Sequence, residues 1–239
     1  MEEVVIQLEW LFNGMRWTHI ISGFLALCVF WLPIITKKGG KLHTRIGWVY
    51  VWAMASVSVT ALGMGIYRLT WDAGPDADAI PFSWFLIFIA ILSSATAWYG
   101  VRVLRHKRRQ EIHRDFIDLL FPSLLLGSGV GISIYGWVIG FPLLQYFPLL
   151  GIFLGGSQLI YWLKAPKTKS HWMVEHIVGM LSCCIATVTA FTVFGAPRLL
   201  QVEAVSLIVW FLPTLVLVPL IIGFSNKYKR LMDGQRKMA

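Results

Sequence analysis

Six histidines and a small set of carboxylates carry most of the chemistry that this 239-residue chain can offer. His43, His106, His113, His171 and His176 fall on or just inside the ends of apolar stretches that adjoin basic loops. Glu111, Asp115, Asp118 and Glu175 gather on the same side, whereas His19 lies about one turn inside the opposite boundary of the first stretch. Ionisable groups within an apolar span are costly and are functional candidates by default. Asp118, Glu175 and His176 are the deepest of them. Three imidazoles plus a water or carboxylate match the ligand set of a catalytic zinc ion. The expected ligands are His43 and His113 with His176 or His171. Asp118 or Glu175 would be a fourth ligand, a hydrogen-bonded partner of a ligand, or a general base. His106, inside the run RHKRR at 105–109, reads instead as a residue at the headgroup level.

Haem is the second cofactor these residues suit, because a b-type haem in a helical bundle takes axial histidines from facing helices. One haem fits the expectation between His176 and either His113 or His43. The opposite face offers His19 alone and lacks the second ligand another haem would need. No glycine-rich phosphate loop, GxSxG elbow or CxxC pair is present. Cys28, Cys183 and Cys184 fall in mid-span and read as apolar filler.

The elements that must position these groups follow from composition. The chain is 57% hydrophobic and 14% charged, against roughly 25% charged residues in a soluble domain. Disordered, collagenous and disulfide-rich secreted classes are excluded, and the medium is a bilayer. Seven stretches approach the length of about 20 residues that a crossing needs: 17–36, 46–69, 82–104, 116–139, 147–164, 171–195 and 204–225. Their apolar runs are continuous rather than alternating, which predicts helices and not a barrel. The fold class expected is therefore all-α, a bundle of about seven transmembrane helices. It divides into a short interfacial segment at 1–16 with Val5, Leu8, Leu11 and Phe12 on one face, a membrane domain at 17–225 and a basic tail at 226–239.

Lysine and arginine set the expected orientation. Loops 37–45, 102–114 and 164–169 and the tail hold all of the 21 basic residues except Arg16, Arg68 and Arg198. The other side carries Glu2, Glu3, Glu9, Asp72, Asp76, Asp78 and Glu203. By the positive-inside rule the N-terminus is outside and the C-terminus cytoplasmic, in a bacterial inner membrane. The net charge of +9 thus follows alternate loops, which argues against a nucleic-acid partner; the partner implied is the lipid bilayer, with anionic headgroups at 105–109.

Three hairpins share a basic turn followed by a histidine, at LHTRIGWVY (42–50), IHRDFIDLL (112–120) and SHWMVEHIV (170–178). Aligned on His43, His113 and His171, position +5 is Trp48, Asp118 and His176. Small residues at Gly127-Ser128-Gly129, Gly131, Gly151, Gly155 and Ser93-Ser94-Ala95 predict close helix packing. Pro33, Pro122, Pro213 and Pro219 predict kinks or breaks in the first, fourth and seventh spans.

His19 with Gly23, followed by HTRIGWVY with His43, Gly47 and Tyr50, and then His113-Arg114, resembles the bacterial membrane proteins grouped as domain of unknown function 2306. The run EHIVGMLSCCIATVTAF resembles a helix in relatives of that group. The resemblance covers about residues 15–225 and implies the fold and the membrane location. Thr44 and Trp48 stand where the pattern has basic residues, so it implies no anion-binding role there.

The function expected is that of an integral inner-membrane protein binding a metal or haem near the cytoplasmic ends of the second, fourth and sixth spans, in membrane redox or metal-dependent chemistry. Three alternatives stand beside it: a zinc-dependent intramembrane lipid hydrolase, a non-catalytic assembly factor for a respiratory complex, and a transporter.

Overall fold

The computed structural model describes residues 2–71, 77–201 and 206–234. Asp72, Asp76, Glu203, Arg236 and Lys237 lie outside the described residues, as do the side chains of Glu2, Glu3, Val5 and Arg198. The chain is all-helical, with no strand among the described residues. In order the helices are α1 (Glu2–Val29), α2 (Trp31–Ile35), α3 (Lys41–Thr70), α4 (Ala79–Arg102), α5 (Phe116–Ile139), α6 (Pro142–Tyr146), α7 (Pro148–Leu163), α8 (His171–Ala190), α9 (Ala196–Leu200) and α10 (Leu207–Gly234). A 3-10 turn, Val103–His106, extends α4, and a π turn, Phe191–Gly195, joins α8 to α9. Singly or as consecutive pieces these make seven helices long and apolar enough to cross a membrane: Gln7–Ile35, Lys41–Thr70, Ala79–His106, Phe116–Ile139, Pro142–Leu163, His171–Gly195 and Leu207–Met232.

Several ends differ from the expected ones. α1 runs from Glu2 without a break at 16, so the segment 2–13 is joined to the first span, and the Phe12 ring packs 4.8 Å from that of Tyr67. α3 starts at Lys41, a turn before the apolar run, because Thr44 caps back onto the Gly40 carbonyl and the first turn tolerates charge. Of the four prolines expected to kink or break a span, Pro33 coincides with a break. It has no N–H and crowds the carbonyl four residues back, at Val29, which is where α1 ends. α5 continues through Pro122, and α10 through Pro213 and Pro219.

α4 is the hub, packed against α3, α5 and α8, while α5 packs on α7 and α10 on α8. Three buried clusters succeed one another along it. Phe85, Phe88 and Leu92 meet Leu125 and Phe147 at one end. In the middle, Ala97 meets Ala26, Tyr50, Met54, Cys183 and Cys184. At the other end Tyr99 and Val103 meet Trp162. Small residues let these helices close. A methyl on Gly155 would lie 2.8 Å from the Pro122 carbonyl oxygen, and one on Gly179 would lie 2.8 Å from the Gly100 backbone. Gly127 and Gly131 face open space and take no part in such packing.

Candidate functional site

The polar residues collect around Tyr99 and Trp162, at the end of the bundle where the basic loops lie. Arg102 ends α4, and His106 follows one turn later through the 3-10 turn, so both project from the same side. The chain then turns back. Asp115 caps α5, accepting from the amides of Ile117 at 3.0 Å and Asp118 at 3.4 Å. That cap fixes Asp118 in the first turn of α5, where its side chain is fully buried.

Arg102 grips Asp118 through both oxygens, Nε donating to Oδ1 at 2.5 Å and Nη2 to Oδ2 at 2.6 Å. His113 Nε2 donates to the same Oδ2 at 2.8 Å. His106 Nε2 is 3.6 Å from that oxygen and, though buried, has no hydrogen-bond partner. The two imidazoles lie 4.2 Å apart, both against the Trp162 indole. Arg109 lies over Tyr161 and donates to the carbonyls of Tyr161, Trp162 and Lys164. A cation there satisfies the open carbonyls at the end of α7 and complements its dipole.

The second group is a pair. His43, in the first turn of α3, and His176, in the second turn of α8, have ring centres 6.3 Å apart. Each is anchored by a backbone carbonyl of another element: His43 Nδ1 donates to Pro33 at 3.0 Å and His176 Nδ1 to Gly100 at 2.7 Å. In each ring the proton donated to the carbonyl sits on Nδ1, and Nε2 is the nitrogen left outside that bond. The surroundings are basic. Lys38 and Lys107 are near enough to act on His176 by charge. Lys38 donates to the carbonyls of Pro33 and Ile34, and burial, with the Lys227 charge beside it, holds its amine below the usual lysine range.

The remaining candidates have other partners. Tyr99 donates to Glu175 Oε2 at 2.6 Å, and the Tyr161 hydroxyl is 2.8 Å from His171 Nδ1. These bonds tie α8 to α4 and α7. His19 joins α1 to α3 through the Val57 carbonyl and the Thr60 hydroxyl, each 3.1 Å away.

Thus the three imidazoles expected in one pocket are divided. His43 meets His176, while His113 belongs with His106 and Asp118, the one three-ligand group among the described residues. The physical reason is that α4 stands between α3 and α5, and its end sends His113 towards Trp162 rather than towards α3. The hairpin alignment fails at its +5 position for the same reason, since Trp48 is 45% exposed while Asp118 and His176 turn to different partners. His106 is the residue the sequence reading set aside. The signal was available: Arg102 and His106 sit one turn apart, opposite the His113–Asp118 segment. No protein-family model, curated protein or solved structure matches the chain.

Proposed function

We propose that this multi-pass membrane protein holds one b-type haem between His43 and His176 and serves membrane electron transfer. The observation that carries the reading is that pair, with both Nδ1 protons committed to backbone carbonyls. Metal-ligating histidines are oriented in this way by the hydrogen bond on the other nitrogen. His43 and His176 would be the residues that hold the iron, their ring centres lying 6.3 Å apart. Among the described residues, no third His, Cys, Asp or Glu joins the pair into a three-ligand group. A zinc site takes its three ligands from the protein, whereas a macrocycle supplies its own equatorial nitrogens and needs two axial residues. Gly47, one turn beyond His43, leaves open space beside the backbone. Lys38 and Lys107 would supply positive charge beside the bound group. Bound haem would supply one-electron redox chemistry; the chain orients its iron through the two imidazoles and sets its polarity through the surrounding lysines.

Protein purified from haem-replete cells is expected to show a Soret band with about one haem per chain. His43→Ala and His176→Ala are each expected to remove most of that absorption while leaving the helical circular dichroism intact. A colourless protein from such cells, or full haem content in both variants, would sink the assignment.

The same reading places the basic loops in the cytoplasm of a bacterial cell and keeps the resemblance to the domain of unknown function 2306 group. In a chain whose Cys28, Cys183 and Cys184 are replaced by alanine, Ala77→Cys should react with a membrane-impermeant thiol reagent added outside cells. Arg108→Cys should react only after the membrane is opened. The reverse pattern would invert the orientation.

A further inference from the structure

We propose that His106 Nε2, His113 Nε2 and Asp118 Oδ2 form a site for a divalent transition metal of the zinc class, distinct from the His43–His176 pair.

Three observations converge on it. The three ligand atoms lie within 4.8 Å of one another. The first of them, His106 Nε2, is buried with no hydrogen-bond partner, a state that is unfavourable unless something fills it. The third observation is charge. Arg102 faces Asp118 at 2.5 Å and also Asp115 at 3.9 Å. One guanidinium between two carboxylates leaves the group with a net charge of −1 while the imidazoles are neutral. Arg109, the next cation, is held by the carbonyls that end α7, with its charge still acting on His106.

Arg102 does not block the site. A carboxylate has about four acceptor positions, and the guanidinium takes one on each oxygen of Asp118. His113 now uses a second position on Oδ2 through its N–H. On metal binding His113 becomes the Nδ1–H tautomer, and its Nε2 turns from donating to Asp118 to ligating the ion beside it. Two imidazoles and a carboxylate are the three protein ligands of an open zinc site, with a water as the fourth. Arg102 then plays the part of the group that hydrogen-bonds and orients a ligating carboxylate. The ion would fasten the 103–115 segment to α5, because His106 and His113 lie on that segment and Asp118 lies on the helix.

The test uses the full chain in detergent, stripped with a chelator and titrated with Co(II) and then Zn(II). The expected result is one equivalent of Co(II) with the visible ligand-field bands of a low-coordinate N,O site, displaced by Zn(II). His106→Ala is the informative variant, because His106 Nε2 has no hydrogen-bond partner and loss of the ring spares the bonds among Arg102, Asp118 and His113. Binding should fall at least about a hundredfold there, since disturbing even an outer partner of a ligand costs 10–100-fold. His43→Ala should leave the titration unchanged, which separates this site from the haem assignment. Absence of stoichiometric Co(II) binding by the unsubstituted chain overturns the proposal. So does binding that survives His106→Ala.

Discussion

Asp118→Ala is expected to lower the stability of the folded chain by about 3–5 kcal/mol, the scale for removing one partner of a buried ion pair. The carboxylate side chain is fully buried and the Arg102 side chain is 14% exposed. Alanine would strand the guanidinium beside Trp98, whose ring lies 5.7 Å from it, with only the more distant Asp115 to neutralise it. His113 would lose its acceptor as well. The measurement is denaturant or thermal unfolding in detergent, followed by circular dichroism. Arg102→Met added to Asp118→Ala should restore a large part of the loss, because the cost lies in the unpaired charge rather than in the missing contact. If Asp118→Ala unfolds within 1 kcal/mol of the parent, the ion pair is not what holds the 103–115 segment to α5.

Gly179→Leu is expected to be nearly as damaging and to act on the other group. A methyl at this position already meets Gly100 backbone atoms at 2.8 Å and the Thr96 carbonyl oxygen at 3.0 Å. None of these is the end of a flexible side chain, so α8 must move away from α4. The bond from His176 Nδ1 to the Gly100 carbonyl, 2.7 Å long, would be lost with that movement. Overpacking of this kind costs about 1–3 kcal/mol or more, and haem content should drop with it. Gly127→Leu is the control, since nothing lies within 4 Å of that position. Equal behaviour of the two variants would mean that the α4–α8 approach does not set the His176 geometry.

The spans were legible in the sequence because a hydrocarbon core imposes a length and a composition that few other elements share. Their ends were less so. Glu9 and Arg16 lower the hydropathy of the segment before residue 17, although from Glu2 onward the backbone belongs to the same helix as the first span. The candidate site was legible as a list of residue types at one end of the bundle. Its division into two groups was not, because nothing in spacing along the chain tells which helices touch. His43 and His176 are 133 positions apart, and only the placing of α3 beside α4 and of α4 beside α8 brings them together. His106 was hidden by its neighbours: four basic residues in RHKRR announce a solvated loop, yet the 3-10 turn rolls this one inward while Arg105 and Arg108 stay exposed.

The grip of Arg109 on the end of α7 spans 55 positions, from residue 109 to the carbonyl of Lys164. During vectorial synthesis at about 5–20 residues per second, the first basic turn after α4 therefore emerges roughly 3–11 seconds before the carbonyls it will clasp. Until then it has no mooring, and α5, α6 and α7 must all have entered the bilayer before it can be fastened. The order of translation thus makes the two loops on this face close together, as the last act of assembling the middle of the bundle.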